Sequence, residues 1–246
     1  MNRVIVDNSN TRTKFALISG GRIVEQRVVK TADVAEMSVK VLLRDWMFGR
    51  MVICSVVPHA AKRIAMAFPN VKVEFLTPFL PLTVDFSGYE GILTLGADRV
   101  ANALAAAHFQ AFPVVAVDMG TATTFDVVVE RDGRLLFAGG VIAPGWSAFS
   151  ACLQGRTALL PSIASIEQGS VIGSTTQKAM AAAVRVGYPA LVDGILDEIE
   201  KELGKSVHVV LTGGDAALIG PLLHRDCRIE PLLTLNGIAQ AFGMYS

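Results

Sequence analysis

The chain opens on the apolar run Val4-Ile5-Val6 and breaks into the polar string Asp7-Asn8-Ser9-Asn10-Thr11. It then returns through Lys14-Phe15-Ala16-Leu17-Ile18 to a Ser19-Gly20-Gly21 turn. Two short apolar runs around a polar turn, closed by glycines, predict a β-hairpin. The same phrase recurs: Val114-Val115-Ala116-Val117 leads into Asp118-Met119-Gly120-Thr121-Ala122-Thr123-Thr124, then Phe125 to Val129 and an Asp132-Gly133 turn, with Asp118 standing 111 residues after Asp7. A repeated hairpin whose first strand ends in Asp predicts two similar halves, residues 1–113 and 114–246, facing each other across a cleft. Between the copies, Met51 to Val57 reads as a buried strand closed by Pro58, Val71 to Leu76 as another strand, and the alanine-rich 98–112 stretch as a helix. After the second copy, Gln177 to Leu203 has a helical pattern interrupted at Pro189, and Val207 to Leu211 is a strand running into Thr212-Gly213-Gly214-Asp215-Ala216. Alternating strands and helices predict the α/β class.

Composition narrows the partners. Lys+Arg and Asp+Glu both count 22, so no global field draws the chain to nucleic acid or to an anionic membrane. A small, locally held ligand fits better. The mean hydropathy of +0.47 raises the question of a membrane span, and residues 135–155 carry no charge. That stretch is punctuated by Gly139, Gly140, Pro144, Gly145 and Gly155, and no clean apolar run of about 18 residues is evident, so no membrane partner is expected. Asp7 falls within one strand's length of the start, too early for the apolar core of a signal peptide. A cytoplasmic location is the expectation. Cys54, Cys152 and Cys227 lie far apart with no paired spacing and read as small buried hydrophobes.

The turns carry the chemistry. Small polar residues and glycines leave backbone N–H groups free to meet phosphate oxygens, and two such turns can grip a triphosphate from both sides. Asp7 and Asp118, at the strand ends, are placed to hold Mg²⁺ or another cation. Gly204-Lys205-Ser206 is no phosphate loop, since Ile199 stands where its first glycine belongs and a strand follows it. It reads as a helix-ending glycine. Two hairpins followed by a Thr-Gly-Gly-Asp-Ala turn resemble the two phosphate motifs and the adenosine motif of the actin and hexokinase superfamily. That resemblance implies two ribonuclease-H-like domains across an ATP cleft.

Within the superfamily the chain resembles type III pantothenate kinases. The resemblance rests on Ser55-Val56-Val57-Pro58, Gly96-Ala97-Asp98-Arg99, the string from Asp118 to Asp126, Gly139-Gly140-Val141-Ile142-Ala143-Pro144-Gly145 and Thr212-Gly213-Gly214, in family order from end to end. It implies phosphorylation of pantothenate by ATP with Mg²⁺, the first step of coenzyme A biosynthesis, in a homodimer with shared active sites. It also implies that Asp98 is the base, that Tyr89, Gly96, Ala97, Asp98, Arg99 and Thr176 bind pantothenate, and that Asp118 binds a monovalent cation, K⁺ or NH₄⁺. Asp7, Asn8, Ser9, Asn10, Thr11, Arg12, Thr13 and Lys14 would form one ATP loop, with Asp7 toward Mg²⁺ directly or through water, and Thr121 would bind ATP from the second hairpin. On its own Asp98 also reads as an N-cap, and Thr176 as a helix cap. Another small-molecule kinase of the superfamily, or a catalytically silent regulatory relative, are the competing readings.

Two departures from the family pattern stand out. Ser9 replaces the glycine of Asp-x-Gly-Asn-Thr: if that site needs a positive φ, serine costs on the order of 1 kcal/mol, whereas its hydroxyl could equally serve the phosphates. In the long helix, Ala183 stands at a usual glycine and Pro189 falls among helix-compatible positions.

Overall fold

A computed structural model describes residues 2–151 and 169–244; Cys152 and Gly155 lie outside them. The first part of the chain gives β1 (Arg3–Asn8), β2 (Arg12–Ser19), β3 (Arg22–Lys30), α1 (Glu36–Leu42), β4 (Arg50–Ser55), α2 (Pro58–Met66), β5 (Lys72–Phe75), β6 (Val84–Asp85) and α3 (Ala97–Ala107). The remainder gives β7 (Val114–Met119), β8 (Ala122–Arg131), β9 (Arg134–Pro144), α4 (Trp146–Ala151), α5 (Thr176–Leu203), β10 (His208–Thr212), α6 (Ala216–Ile219), β11 (Arg228–Ile229) and α7 (Leu233–Ala241). One sheet has the order β3-β2-β1-β4-β5 and the other β11-β10-β7-β8-β9-β6, an α/β architecture as expected. Two compact units emerge. The first comprises Met1–Ala111, Asp126–Gly139 and Leu232–Ser246, and the second Phe112–Phe125 and Gly140–Pro231.

In the first unit β1 is buried from Val4 to Asn8, because β2 flanks it antiparallel and β4 parallel. Such a strand must be apolar on both faces, and Val4, Val6, Met51 and Ile53 join Phe15, Leu43, Trp46 and Ile64 in the core. The pairing places Lys14 opposite Asp7 and Thr13 opposite Asn8. β3 was not legible in the sequence: it is an edge strand of largely exposed Arg, Glu, Gln and Lys residues, a composition that guards an open edge. Pro58, read as closing a strand, instead opens α2 at its first turn, where a missing N–H costs nothing.

Helix α3 is buried nearly all round, and α7 lies along it. Gly237 makes this possible: a Cβ there would stand 1.8 Å from the carbonyl oxygen of Ala101. Thr234 Oγ1 donates to Asn102 Oδ1 at 2.8 Å, satisfying a buried amide in the same contact.

In the second unit β7 pairs parallel with β10, and β10 with β11. The helix expected to break at Pro189 runs unbroken for 28 residues. A proline inside a helix costs about 3 kcal/mol, but each large side chain fully buried returns roughly 1.5–3 kcal/mol, and Tyr188, Val192 and Leu196 are all fully buried. α5 is long and apolar enough, by length and composition, to cross a membrane. Its buried Asp193, however, accepts from Arg225 Nε at 3.2 Å and from the His224 backbone at 3.0 Å, contacts that suit a core helix. Gly204 ends it in the left-handed conformation at φ 65°, as the sequence indicated.

Because α7 supports the helix whose first turn carries Asp98 and Arg99, Gly237→Ala is expected to destabilise the protein. Overpacking against backbone on this scale costs about 3 kcal/mol, or roughly 5–10 °C in thermal unfolding.

Candidate active site

The first turn of α3 is shaped around one carboxylate. Gly96, not Asp98, is the N-cap, and Asp98 is the second helical residue, its Oδ1 accepting from the Arg99 backbone N–H at 2.8 Å. A Cβ on Gly96 would stand 2.5 Å from that Oδ1, so any larger residue would push the carboxylate aside. Burial raises the Asp98 pKa above its ordinary value, the negative charge of Asp7 raises it further, and the backbone hydrogen bond only partly offsets this. The group is therefore a stronger base than a solvated carboxylate.

Arg99 points the other way, into the protein. Its Nε donates to Asp126 Oδ1 at 2.6 Å, and Asp126, on β8, is wholly buried. Burial works against the guanidinium's charge, but Asp126 more than compensates and holds its pKa above the ordinary value, with Tyr89 alongside. The ring of Phe137 lies 5.5 Å from the guanidinium carbon and packs against Phe86 and Tyr89 at 5.2 and 5.3 Å. Gly139, at φ +112°, leaves space beside Tyr89, whose ring would be 3.6 Å from an added Cβ. One nitrogen of Arg99, Nη2, is buried with no hydrogen-bond partner. A buried charged donor left unpaired is costly, and an acceptor oxygen on a ligand would satisfy it.

The first hairpin is tightly braced. Asp7, only 3% exposed, has Lys14 Nζ at 3.3 Å from Oδ2 and receives a hydrogen bond from Ser9 Oγ at 2.7 Å on Oδ1. Ser55 Oγ donates to Asn8 Oδ1 at 2.6 Å, and Asn8 Nδ2 donates to Thr13 Oγ1 at 2.7 Å. Thr13 in turn shares a 3.0 Å hydroxyl contact with Thr31. Asn10, Thr11 and Arg12 at the tip are exposed. Among the described residues only Gln110 and Asp132 are non-glycines with positive φ, so Ser9 carries none of the left-handed strain that replacing a glycine threatened. A hard carboxylate oxygen at the mouth of such a turn fits Mg²⁺, which usually takes one or two protein carboxylates and completes its shell with water and phosphate.

In the second unit Asp118, next to last in β7, lies half-buried under Gly213. Gly213 has φ +91°, and a Cβ on it would be 2.5 Å from Asp118 Oδ1 and 2.4 Å from the Met119 carbonyl, so the adenosine-motif turn sits directly on the hairpin. Gly145 approaches the same hairpin from the other side, donating to the Thr121 carbonyl at 3.3 Å. Thr121 itself is exposed, and Thr123 meets Tyr188 hydroxyl to hydroxyl at 2.6 Å. Thr176 is the exposed first residue of α5, whose N-cap is Thr175, accepting from the Lys178 N–H at 3.2 Å. Among the described residues no three His, Cys, Asp or Glu side chains cluster as a metal site. Tyr89, the 96–99 turn and the first hairpin thus belong to the first unit, and Asp118, Thr121 and Thr176 to the second. Sequence reasoning missed the roles of Asp126, Phe137 and Thr31. Asp126 stood inside a recognised motif, but nothing in the string says that it answers Arg99.

A profile described as type III pantothenate kinase matches residues 3–198. The chain belongs to this family. A type III pantothenate kinase of Akkermansia muciniphila is 40% identical over 245 residues, 99% of each chain, and one of Methylacidiphilum infernorum is 34% identical over 96% of this chain and 86% of its own. Among solved structures, a putative Baf family transcriptional activator from Campylobacter jejuni superposes with a TM-score of 0.63 at 17% identity, covering 98% of this chain and 97% of its own. A glucokinase from an Antarctic psychrotroph gives 0.52 at 11%, covering 98% of each. At such identities these neighbours speak to the fold alone, and they bear out the hexokinase-type architecture.

In this pantothenate kinase family member the Arg99–Asp126 pair is the most exacting electrostatic element. Asp126→Ala strands a buried guanidinium and is expected to lower stability by about 3–5 kcal/mol, whereas adding Arg99→Met removes the stranded charge and recovers most of the loss. Urea unfolding of the single and double variants measures both.

Proposed function

We propose that the protein transfers the γ-phosphoryl group of ATP to the hydroxyl of pantothenate, giving 4′-phosphopantothenate. The observation that carries this reading is the adjacency of a base and an unfilled donor on one helical turn: Asp98 with its raised pKa, and Arg99 with a buried Nη2 that has no partner. Family membership names the acceptor alcohol. Arg99 and Tyr89 hold pantothenate, with Thr176 contributing to the same site, and Asp98 accepts the hydroxyl proton as the oxygen attacks phosphorus. Phosphoryl transfer asks mainly for positioning and charge neutralisation. On the ATP side these come from the Asp7–Lys14 hairpin and from Thr121. Asp7 would hold Mg²⁺, which would spread the phosphate charge, and Asp118 would hold a monovalent cation. We place this chemistry in the cytoplasm.

The protein acts as a homodimer in this reading. α5 leaves Ala179, Ala183, Val186 and Ala190 exposed along one stripe at helical spacing, small enough for a second copy to approach closely. Ala182, beside that stripe, is buried within the chain.

A coupled assay with pantothenate and a panel of sugars tests the acceptor, with turnover on pantothenate alone as the expected outcome. Asp98→Asn is expected to lose about 10²-fold in rate, and the acid limb of the wild-type kcat/KM profile should lie above the ordinary carboxylate value of about 4. Stability moves in the opposite sense. The folded protein binds this proton more tightly than the unfolded chain, so Asp98's contribution falls as pH rises from the ordinary pKa through the raised one. Asparagine escapes that loss, and the variant should melt at or above the wild-type temperature at neutral pH. If the two chains share sites, mixing Asp98→Asn with a disabling Thr176 variant restores about a quarter of all sites after random subunit exchange. No recovery, with exchange verified by a tag, would sink the shared site.

A further inference from the structure

The serine in the first phosphate hairpin has a role of its own. Its hydroxyl donates to Asp7 Oδ1 at 2.7 Å while Lys14 Nζ lies 3.3 Å from Oδ2, so each oxygen of a carboxylate that is only 3% exposed has its own partner. Ser9 is itself fixed from both sides. Its N–H donates to the Arg12 carbonyl at 3.2 Å, and its carbonyl accepts from Thr31 Oγ1 at 2.6 Å. Thr31 closes onto Thr13, Thr13 onto Asn8 and Asn8 onto Ser55, a chain of side chains running to the end of β4. The backbone that carries the hydroxyl is thus held on both sides, and the hydroxyl itself is oriented by its bond to Asp7.

The repeat supplies an internal comparison. Gly120 stands two residues after Asp118 as Ser9 stands two after Asp7, and its N–H likewise bonds across the turn, to the Ala122 carbonyl at 3.1 Å. A Cβ added to Gly120 would lie 3.9 Å from Asp118 Oδ1, in ordinary contact and with no positive φ to strain it. The turn therefore tolerates a side chain at this position in both copies, and that side chain points toward the carboxylate two residues earlier. Only the first copy uses it.

We propose that Ser9 is the positioning residue of Asp7: its hydroxyl, together with Lys14, fixes the orientation of the Asp7 carboxylate toward the metal ion of a metal–nucleotide complex. Ser9 touches the nucleotide only through Asp7. This rests on the reading of Asp7 as the residue on the Mg²⁺ side of ATP, and it reverses the expectation that the hydroxyl serves phosphate directly. Without the hydroxyl, Oδ1 loses its partner and the carboxylate can rotate about its side-chain bonds. Nucleotide binding that depends on the metal should suffer, and metal-independent binding should not.

The test is calorimetric titration of ADP into wild type, Ser9→Ala, Ser9→Gly and Asp7→Asn, and into the Asp7→Asn/Ser9→Ala double variant, each with Mg²⁺ and with chelator. The wild type is expected to bind ADP more tightly with Mg²⁺. In Ser9→Ala and Ser9→Gly that gain should shrink on the order of ten-fold, as befits one hydrogen bond to a charged group, with affinity in chelator unchanged. On the Asp7→Asn background Ser9→Ala should add nothing. Ser9 variants that keep the full Mg²⁺-dependent gain overturn the proposal. So does an equal loss with and without Mg²⁺, or a loss that persists undiminished beside Asp7→Asn, since either places the hydroxyl on the nucleotide itself. A wild type with no Mg²⁺-dependent gain would remove the reading of Asp7 and this proposal together. Failure to phosphorylate pantothenate, with the gain intact, would touch only the choice of acceptor.

Discussion

A guanidinium held against a carboxylate that water never reaches sets the terms for the first turn of α3. Arg99 and Asp126 are separated by a helix and a strand in sequence, yet the pair closes at 2.6 Å with both side chains almost wholly buried. Desolvating two charges is expensive, and their attraction recovers the cost only when the geometry is good and the remaining donors are satisfied. Here one donor, Nη2, is left unsatisfied. In the binding role proposed for Arg99, an acceptor oxygen on the ligand would make good that deficit. The same pair explains why residues 126–139 group with the first unit although β8 begins in the second: Asp126 and Phe137 both bear on Arg99.

Asp98 depends on the same helical turn in a different sense. Burial raises its pKa most, the backbone hydrogen bond from Arg99 offsets part of this, and the negative charge of Asp7 raises it further against the opposing charge of Arg99. An arginine free to turn toward Asp98 would make it a weaker base. In the proposed roles, committing Arg99 to β8 would keep binding and proton transfer on separate, consecutive residues. Gly96 protects the arrangement by keeping the space beside Oδ1 clear, and Gly237 protects it from behind by letting α7 bear directly on α3. Both glycines are explained by close approach, with no need of a left-handed backbone.

The elements legible in the sequence were those whose burial leaves a signature. β1, β4, β7 and β10 are apolar runs that close on Asp7-Asn8, Ser55, Asp118-Met119 and Thr212, because a parallel strand covered on both faces admits little else. The signals failed where surroundings overrode local pattern. β3 is exposed and charged, so its alternation is weak. Helix α5 runs through Pro189 because the burial of Tyr188, Val192 and Leu196 outweighs the lost hydrogen bond. At the site, the motif string delivered Asp98 and Arg99, but a string cannot show that Asp126 answers Arg99 across 27 positions. Nor could it decide Ser9. Whether a serine at a glycine position is strained depends on φ, and what its hydroxyl meets depends on a rotamer.

The two hairpins show how one sequence phrase takes on two duties. Each carries an aspartate next to last in its first strand, and each crosses its turn with a backbone hydrogen bond. In the first, the aspartate is gripped by side chains of its own hairpin, Ser9 and Lys14, while Thr31 closes on the backbone of the turn. In the second, backbone arrives from outside: Gly213 closes to contact with Asp118 and Met119, and a Cβ on Gly145 would be 2.1 Å from the Gly120 carbonyl. In the roles proposed for them, carbonyl oxygens beside Asp118 would suit a weakly charged cation, and a lysine beside Asp7 the high charge of a metal-bound polyphosphate. Each copy can therefore drop what the other needs. The serine has a function only where the aspartate must be aimed by side chains, and the close-packed glycines only where backbone must come within reach of the turn.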